Sequence, residues 1–272
     1  MFEPGPSRAR TAWPVGPHAE NVVPGTATPE NAAPPPDLSI IVPVYNERES
    51  LPPLLLELRA VLERVPRSYE ILLVDDGSTD GSVEMIRAAA LTWPVVTGIL
   101  LERNAGQSAA LAAGFRLARG GILITMDADG QNDPADIPAL LAALENADVV
   151  SGIRARRADD WRRRISSKIA NAVRRAAVGD TIVDTGCSLK AYRRRVVEGI
   201  PFFVGVHRFL AGICEMRGAR VAQIPVRHRP RLHGQSKYGV GNRLFRGIRD
   251  LIGVRWLRSR LLQFKVREVV HE

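Results

Sequence analysis

From residue 38 onward, short apolar runs alternate with longer stretches of helical spacing, and this alternation limits the fold more than any other feature of the sequence. Buried strands are predicted over 38–45, 69–76, 95–102, 120–127 and 147–154. Helices are predicted between them, over 47–65, about 80–90, 106–118 and from Asp133-Pro134 onward. This alternation predicts an α/β fold, with a mostly parallel sheet covered by helices on both faces.

After Arg154 the alternation becomes looser. The elements predicted there are a basic helix (159–179), a short strand with the start of a helix (185–194), a helix that Gly218 ends (205–218), a last strand (219–230) and a glycine-rich basic loop (231–243). Ahead of the first strand, residues 1–37 hold nine of the 19 prolines and show no periodicity, which is typical of a disordered tail.

The net charge of +9 is distributed unevenly along the chain. Residues 1–150 carry 10 Lys and Arg against 20 Asp and Glu, whereas residues 151–272 carry 28 against 9. A basic half of this strength predicts a polyanionic partner: a nucleic acid, an anionic membrane surface or phosphorylated substrates. The longest stretch without a charged residue, Ala88 to Leu101, has 14 residues, fewer than the ~20 that a membrane-spanning helix needs.

No secretory signal is predicted at the N-terminus, which lacks a basic start followed by an apolar run. The two cysteines, Cys187 and Cys214, have neither the spacing of a metal site nor that of a disulfide framework. They predict two buried, reduced thiols in a cytosolic protein.

Polar residues collect where the predicted strands end, and ligands of parallel α/β sheets bind beyond that edge. The residues concerned are Pro43, Tyr45, Asn46 and Glu47 after the first strand, Asp75 and Asp76 after the second, Asp127 and Asp129 after the fourth, and Arg154 after the fifth. Their convergence predicts a binding site at this edge of the sheet.

The segment Asp127-Ala-Asp-Gly-Gln predicts a site for a hard cation. The pleat of a strand would point Asp127 and Asp129 to the same side, with Gln131 two residues further on. Oxygen ligands without His or Cys suit Mg²⁺ or Mn²⁺, which often complete their shell with substrate phosphates. The alternative is a group of helix caps, and for Asp133, which precedes Pro134, capping is the preferred interpretation.

The acidic pair Asp75-Asp76 has two interpretations of its own. The segment predicts a tight turn in which Asp80 caps the next helix. In the first interpretation, one of the two acids hydrogen-bonds the base or the sugar of a nucleotide. Acidic pairs at strand ends also occur in phosphoacceptor receiver domains, but these have about half this length and leave the basic half of the chain unexplained.

Five segments, in this order and spacing, resemble the family 2 glycosyltransferases with the Rossmann-like GT-A fold. They are SIIVPVYNERESL, ILLVDDGSTDGS, RNAGQSAALAAGF, MDADGQNDP and SGIR. Within that family, DTGCSLKAYRR and the stretch from His207 to Gly239 resemble the polyprenyl-phosphate sugar transferases, which include dolichol-phosphate mannose synthase. The resemblance implies a tail (1–37), a glycosyltransferase domain (38–242, with a nucleotide-binding half 38–154 and an acceptor half 155–242) and a membrane-docking segment (243–272).

The resemblance also implies roles for individual residues. Nucleotide-sugar contacts would come from Pro43, Tyr45, Glu47, Val74, Asp76, Asp127, Ala128 and Arg154. The Mg²⁺ or Mn²⁺ ion would bind Asp127, Asp129 and Gln131, the last two as its direct ligands. The catalytic residues would be Asp127 and Asp129, the phosphate-binding Arg208, Arg231 and Lys237, and Asp184, which would lie near the acceptor. Relatives commonly have Lys in place of Arg208. His207 beside it marks a subgroup of the family, and the sequence does not identify the sugar that this subgroup transfers.

Three functions follow as hypotheses. The first is an inverting, metal-dependent transfer of a sugar from GDP-mannose or a UDP-sugar to dolichyl or undecaprenyl phosphate, an anionic nucleophile that needs no strong base. The second keeps the donor but transfers to a glycan or protein hydroxyl, with Asp184 as the candidate base. The third is a non-catalytic polyanion-binding module, although nucleic acid is not predicted as a partner.

Residues 243–264 mix arginines with large apolar side chains, which is typical of a basic amphipathic helix in the headgroup region of a membrane. Each basic side chain near an anionic leaflet contributes about 1 kcal/mol. Gly247 and Gly253 weaken a continuous helix by roughly 1 kcal/mol each relative to Ala. The predicted location is peripheral, on the cytoplasmic face, held directly or by a membrane-protein partner such as a flippase or another glycosyltransferase. The alternative is a helix that packs on the core with an arginine-rich outer face.

Overall fold

The computed structural model describes residues 34–154, 179–230 and 240–260, and in the last of these stretches the side chains from Arg249 onward. Within these residues, the strands form one sheet in the order β3-β2-β1-β4-β6-β5-β7. The strands are β1 (Leu38–Val44), β2 (Tyr69–Asp75), β3 (Val96–Leu100), β4 (Ile122–Thr125), β5 (Val149–Arg154), β6 (Lys190–Arg193) and β7 (Val221–Val226). All five strands predicted between residues 38 and 154 are confirmed.

The sheet is mostly parallel, as predicted, and has one reversed strand. Neighbours pair in parallel from β3 to β4 and again between β5 and β7. Strand β6 lies antiparallel between β4 and β5. Because β4 and β5 are both antiparallel to β6, they run the same way, and the carboxyl ends of β1, β2, β4 and β5 meet at one edge.

The helices follow the predicted alternation, with shorter bounds. They are α1 (Leu51–Leu62), α2 (Ser82–Thr92), α3 (Gln107–Leu117), α4 (Ile137–Ala143), α5 (Arg194–Val197), α6 (Leu210–Met216) and α7 (Val240–Arg260). Single 3₁₀ turns lie at Pro134–Asp136, Leu144–Asn146 and Val206–Arg208. Helix α1 begins four residues later than predicted because its prolines lie at the start, where proline is tolerated.

Two apolar layers cover the sheet. Alternate residues of β1 and β2 pack on one side against α1, α2 and α4, and the intervening residues pack on the other side against α3 and α6. Gly114 allows α3 to approach the sheet closely, because a Cβ atom there would overlap the side chain of Ile41. The buried thiols of Cys187 and Cys214 are both free, as predicted.

Helix α7 packs on the second layer through its inner face and leaves an apolar strip on its outer face. Val254 is fully buried, whereas Ile252 and Trp256 are 64% and 62% exposed. The helix runs without a break through Gly247 and Gly253, and the free-energy cost predicted for these glycines stays a prediction. It also begins at Val240, inside the segment predicted as loop.

Several predictions lie outside the described residues. These are most of the proline-rich tail, most of the basic helix, Arg231, Gly234 and Lys237 of the basic loop, the side chains of Arg243 and Arg246, and the chain after Arg260. In the part of the chain that the structure describes, no helix has the length and apolar character needed to cross a bilayer.

Candidate active site

The loops after β1 and β2 are joined by hydrogen bonds into one unit. Asn46 adopts a left-handed conformation (φ 52°), which asparagine tolerates better than most residues. Its side-chain oxygen accepts from the Thr79 amide at 2.7 Å, and its own amide donates to Ser78 Oγ at 2.9 Å. The Glu47 amide donates to Ser82 Oγ at 2.9 Å. These bonds fix Tyr45 and Glu47 at the sheet edge.

The two aspartates after β2 accept hydrogen bonds from different loops. The Asp76 carboxylate accepts hydrogen bonds from the backbone amides of Ala105 (2.7 Å) and Gly106 (2.9 Å), and so holds the loop that precedes α3. Asp75 Oδ2 accepts from the amides of Gly77 and Ser78 at 3.0 Å each. Asp75 Oδ1 is buried and, among the described residues, accepts no hydrogen bond.

The loop after β4 carries the acidic motif, and the strand pleat that the sequence predicted for it is absent. Strand β4 ends at Thr125, so the pleat does not extend to Asp127, and Gly130 turns the chain with φ 72°. Asp127 lines a cavity of about 380 Å³. Asp129 lines a smaller recess beside it, together with Glu57 and Arg229. The residues Asp127 and Asp129 therefore line different recesses, and the alternation of a strand does not describe their side chains.

Side chains from other elements hold this acidic loop in place. Gln107, the first residue of α3, donates through Nε2 to Asp127 Oδ1 at 2.7 Å. The Asp127 amide donates to Asn132 Oδ1 at 3.1 Å, and Ser188 Oγ donates to the same oxygen at 2.7 Å. Sequence reasoning did not single out Gln107, although it lies in the motif RNAGQSAALAAGF.

The donor atoms of the loop fit a divalent cation whose coordination shell is completed by a bound substrate. Asp129, Asp127 and the amide oxygen of Gln131 are hard oxygen donors; Gln131 Nε2 donates to the Arg229 carbonyl at 3.2 Å, which leaves Oε1 for a cation. In the described ranges, no three His, Cys, Asp or Glu side chains lie where together they could hold a metal ion, so this loop would offer two carboxylates and one amide oxygen. An open edge of this kind suits Mg²⁺ or Mn²⁺, whose shell substrate phosphates often complete.

A segment from the end of β7 runs beside the acidic loop. The Arg229 amide donates to the Gln131 carbonyl at 2.9 Å, and Asn132 and His228 form an antiparallel bridge. The Arg229 guanidinium contacts Glu57 of α1 at 2.8 Å and Asp133 at 2.9 Å. These bonds connect the acidic loop to α1 and to the chain that leads into the predicted basic loop.

Asp133 caps the helical turn that follows, as predicted. Its Oδ1 accepts from the Ala135 amide at 3.0 Å, and its carboxylate also pairs with Arg227 and Arg229. Burial alone would raise the pKa of Asp133, but the Ala135 amide and the two arginines together hold it below its usual value.

Replacing Asp133 by Ala is expected to lower the free energy of unfolding by about 1–3 kcal/mol, because a cap and two partly exposed ion pairs are lost together. Asp133→Asn keeps a capping oxygen, so its loss should be smaller. Urea unfolding of both variants at pH 7 measures the difference. Equal stabilities for the two variants would show that the cap contributes nothing.

Arg154 and Asp184 form a two-bond ion pair at the cavity wall. Arg154 Nε and Nη2 donate to the two oxygens of Asp184 at 2.8 and 2.9 Å. The amides of Arg154 and Gly186 donate to the same carboxylate at 3.1 Å each. Burial would raise the pKa of Asp184, but Arg154 and these amides outweigh it and hold the pKa low. Asp184 is therefore a weak base in this arrangement.

The other predicted residues are placed as follows. Pro43 and Arg208 line the same cavity as Asp127 and Arg154. The Arg208 amide donates to the Gly205 carbonyl at 3.2 Å, and its guanidinium forms no hydrogen bond or ion pair with another described residue. Ala128, within the acidic loop, is 2% exposed, and Val74 is fully buried in the sheet, with its side chain in the core. Arg231 and Lys237 lie outside the described residues.

The sequence profile of glycosyl transferase family 2 matches residues 39–200. The chain belongs to glycosyl transferase family 2. This family 2 chain is 42% identical over 205 residues to undecaprenyl-phosphate 4-deoxy-4-formamido-L-arabinose transferases of Aeromonas hydrophila and Serratia proteamaculans. In both cases the match covers 75% of this chain and 63% of the relative, so the chain spans less than two thirds of the length of these curated relatives.

Solved structures confirm the fold of this family 2 chain. Glucosyl-3-phosphoglycerate synthase from Mycobacterium tuberculosis, in complex with Mn²⁺ and UDP-glucose, has a TM-score of 0.60 at 17% identity, covering 84% of this chain and 80% of that one. A mannosyltransferase from Pyrobaculum calidifontis, in complex with GDP-mannose and Mn²⁺, has a TM-score of 0.57 at 22% identity, covering 85% and 67%. The predicted GT-A fold is therefore confirmed.

Proposed function

We propose that this family 2 glycosyltransferase moves a sugar, with inversion, from a nucleoside diphosphate donor to a polyprenyl phosphate. The relatives at 42% identity are named as undecaprenyl-phosphate transferases of a formamido sugar, which supports undecaprenyl phosphate as the acceptor and a formamido pentose as the sugar. The nucleotide is UDP or GDP, since solved structures of this fold hold either one.

The observation that carries the proposal is the composition of one cavity. Asp127 lines it on the side of the acidic loop, and Arg208 and Arg154 line it elsewhere. The Arg154 guanidinium is paired with Asp184, whereas Arg208 pairs with no described residue. A cavity with a guanidinium that no described residue neutralises, beside a loop proposed to bind a cation, suits two phosphorylated substrates, whose mutual repulsion it reduces.

The metal would assist departure of the nucleoside diphosphate. Asp129, Gln131 and Asp127 would hold Mg²⁺ or Mn²⁺, and the ion would supply electrostatic stabilisation of the leaving diphosphate. Pro43, Tyr45, Glu47 and the buried Asp75 Oδ1 lie on the β1–β2 side of the edge, where the base and ribose would bind. In this arrangement Asp76 does not contact the nucleotide directly. It holds the loop that precedes α3 in place.

The second hypothesis, transfer to a hydroxyl acceptor, requires a base that accepts a proton. Asp184 was the candidate, but its carboxylate is occupied by Arg154 and two amides, and its pKa is held low. A phosphate nucleophile is already an anion and needs no such base. The pairing of Asp184 therefore favours the polyprenyl phosphate, and membership of an enzyme family argues against the third hypothesis, a non-catalytic polyanion-binding module.

Transfer assays with matched acceptors test the proposed function. The protein, Mn²⁺ and a radiolabelled nucleotide sugar are mixed with undecaprenyl phosphate or with undecaprenol, which has the same chain and a hydroxyl end. We expect a lipid-linked product with the phosphate alone, and loss of that product on chelation of the metal. Equal transfer to undecaprenol would favour the hydroxyl hypothesis, and no transfer from any nucleotide sugar would contradict the proposal.

The outer strip of α7 would place the protein on a membrane. Ile252 and Trp256 lie one helical turn apart and are exposed, with the exposed Arg249, Arg255 and Arg260 around them. Apolar side chains among arginines suit the headgroup region of an anionic leaflet. In this proposal the two sequence interpretations apply to different faces of the helix, since Val254 packs on the core. We place this surface on the cytoplasmic side, where nucleotide sugars are found. A membrane-protein partner would add to this direct contact with the membrane.

Replacing Trp256 by Ser is expected to weaken binding to vesicles that contain anionic phospholipid about ten-fold, because one large buried aromatic contact is lost. Leu91→Ser is the matched control: Leu91 is 86% exposed but lies on α2. Co-sedimentation with vesicles measures both variants. Equal retention of the two would show that the α7 strip is not the membrane surface.

A further inference from the structure

The first two residues of α3 are bonded to two different segments that line the cavity. Gln107 donates through Nε2 to Asp127 in the acidic loop at 2.7 Å. The next residue, Ser108, is bonded to the loop and 3₁₀ turn that carry Arg208. Asp127 and Arg208 both line the cavity. Consecutive residues of one helix therefore hold the proposed cation loop and the turn that supplies the guanidinium.

The Ser108 hydroxyl group makes two hydrogen bonds to residues about 100 positions away. Ser108 is 8% exposed, and its Oγ accepts from the Gly205 amide at 2.9 Å and lies 2.8 Å from His207 Nδ1. In the part of the chain that the structure describes, no other acceptor lies within hydrogen-bond distance of this hydroxyl group, so Ser108 donates to Nδ1. Burial, with Arg208 and Lys190 nearby, lowers the pKa of His207 to about 4, which agrees with a neutral ring that accepts at Nδ1.

The placement of Arg208 depends on the backbone of this turn, because its guanidinium has no partner among the described residues. Gly205 begins the turn in a left-handed conformation (φ 96°), and a Cβ atom there would overlap the Asp250 carboxylate of α7. The Arg208 amide donates to the Gly205 carbonyl. Ser108 therefore anchors the turn at two points, through the amide of Gly205 and through the ring of His207.

The Ser108 hydroxyl group is not used to begin α3. The residue before the helix, Gly106, has no side chain, and the helix shows no hydrogen bond from a capping side chain. A serine near the start of a helix often bonds to the backbone of its own helix. Here the two hydrogen bonds of the hydroxyl group lead to the turn at the cavity wall. The side chain of Ser108 is thus placed to position that turn.

We propose that Ser108 is a positioning residue for binding of the acceptor: through Gly205 and His207 it fixes the turn that presents the Arg208 guanidinium to the phosphate of the polyprenyl phosphate. This inference rests on the proposed function. In that function the cation holds the donor's diphosphate, so the unpaired guanidinium of Arg208 is left for the second phosphate. Because Gln107 and Ser108 are adjacent on one rigid helix, they also fix the separation of the two phosphate-binding groups.

Kinetics with each substrate varied in turn test the proposal. Ser108→Ala should raise the KM for undecaprenyl phosphate at least five-fold and leave the KM for the nucleotide sugar within two-fold of the wild-type value. Ser108→Thr keeps the hydroxyl group and should recover most of the loss. Gln107→Ala should show the reverse pattern, with a higher Mn²⁺ concentration for half-maximal transfer and an unchanged KM for undecaprenyl phosphate.

A double-mutant cycle separates positioning of Arg208 from a general effect on folding. In the Arg208→Ala background, Ser108→Ala should change the KM for undecaprenyl phosphate less than two-fold, because the group that it positions is already absent. Ser151→Ala is the control for loss of a buried hydroxyl group: Ser151 is fully buried in β5, and its Oγ has no hydrogen-bond partner among the described residues. Its kinetics should match those of the wild type.

The outcomes that contradict this inference differ from those that contradict the proposed function. An unchanged KM for undecaprenyl phosphate in Ser108→Ala, an equal rise in KM for both substrates, or additive effects of Ser108→Ala and Arg208→Ala would overturn the inference alone. Absence of transfer to undecaprenyl phosphate by the wild type would overturn the proposed function as well.

Discussion

Replacing Asp129 by Ala is expected to reduce the rate of sugar transfer by about 10³-fold, because the departing diphosphate loses the cation that stabilises its charge. Asp129 is 8% exposed, and its Oδ1 accepts a hydrogen bond from the Gln131 amide at 3.1 Å. Steady-state transfer rates at saturating Mn²⁺ measure the effect, and thermal unfolding checks that the fold is retained.

Glu84→Ala is the control for this experiment, since Glu84 is an exposed carboxylate in the first turn of α2, away from the site. It should transfer sugar at the wild-type rate. Turnover by Asp129→Ala that matches Glu84→Ala would contradict the metal site assigned to the acidic loop.

The second large effect is expected at Arg208. Replacing Arg208 by Ala removes the guanidinium that lines the cavity without a described partner, and should lower kcat/KM for transfer about 10²-fold. Arg208→Lys should retain most of the activity, because Lys also supplies a cation to a phosphate. Kinetics with varied polyprenyl phosphate and fixed donor show whether the loss is in KM, in kcat or in both.

Arg64→Ala is the matched control for charge, since Arg64 is an exposed arginine just after α1. Its kinetics should equal those of the wild type. If Arg208→Ala and Arg64→Ala were equally active, Arg208 would have no role in binding phosphate.

Local features of the fold followed from the sequence because they depend on local patterns. The apolar runs gave β1 to β5 within a few residues, and Asp133 before Pro134 gave a helix cap that the structure confirms. The reversal of β6 and the order of the sheet did not follow, because the pairing of β6 with β4 depends on contacts between residues about 65 positions apart. No local pattern encodes such a pairing.

The site shows the same division. The acidic motif and its likeness to a family placed the loop correctly at the strand edge. The alternation predicted for its carboxylates does not apply, because β4 ends at Thr125. Lys190 lines the cavity and is 2% exposed, but it was not singled out, because a lysine between Leu189 and Ala191 has an ordinary sequence context. Its burial arises from packing around β6, which only the folded chain shows.

The central claim is that the loop from Asp127 to Gln131 holds a divalent cation against the donor's diphosphate. Anomalous X-ray scattering from crystals soaked with Mn²⁺ and a nucleoside diphosphate tests it most directly. We predict one manganese peak at coordination distance, about 2 Å, from the Asp129 carboxylate and from a diphosphate oxygen. A bound nucleoside diphosphate with no manganese at this loop, or with manganese elsewhere, would contradict the account.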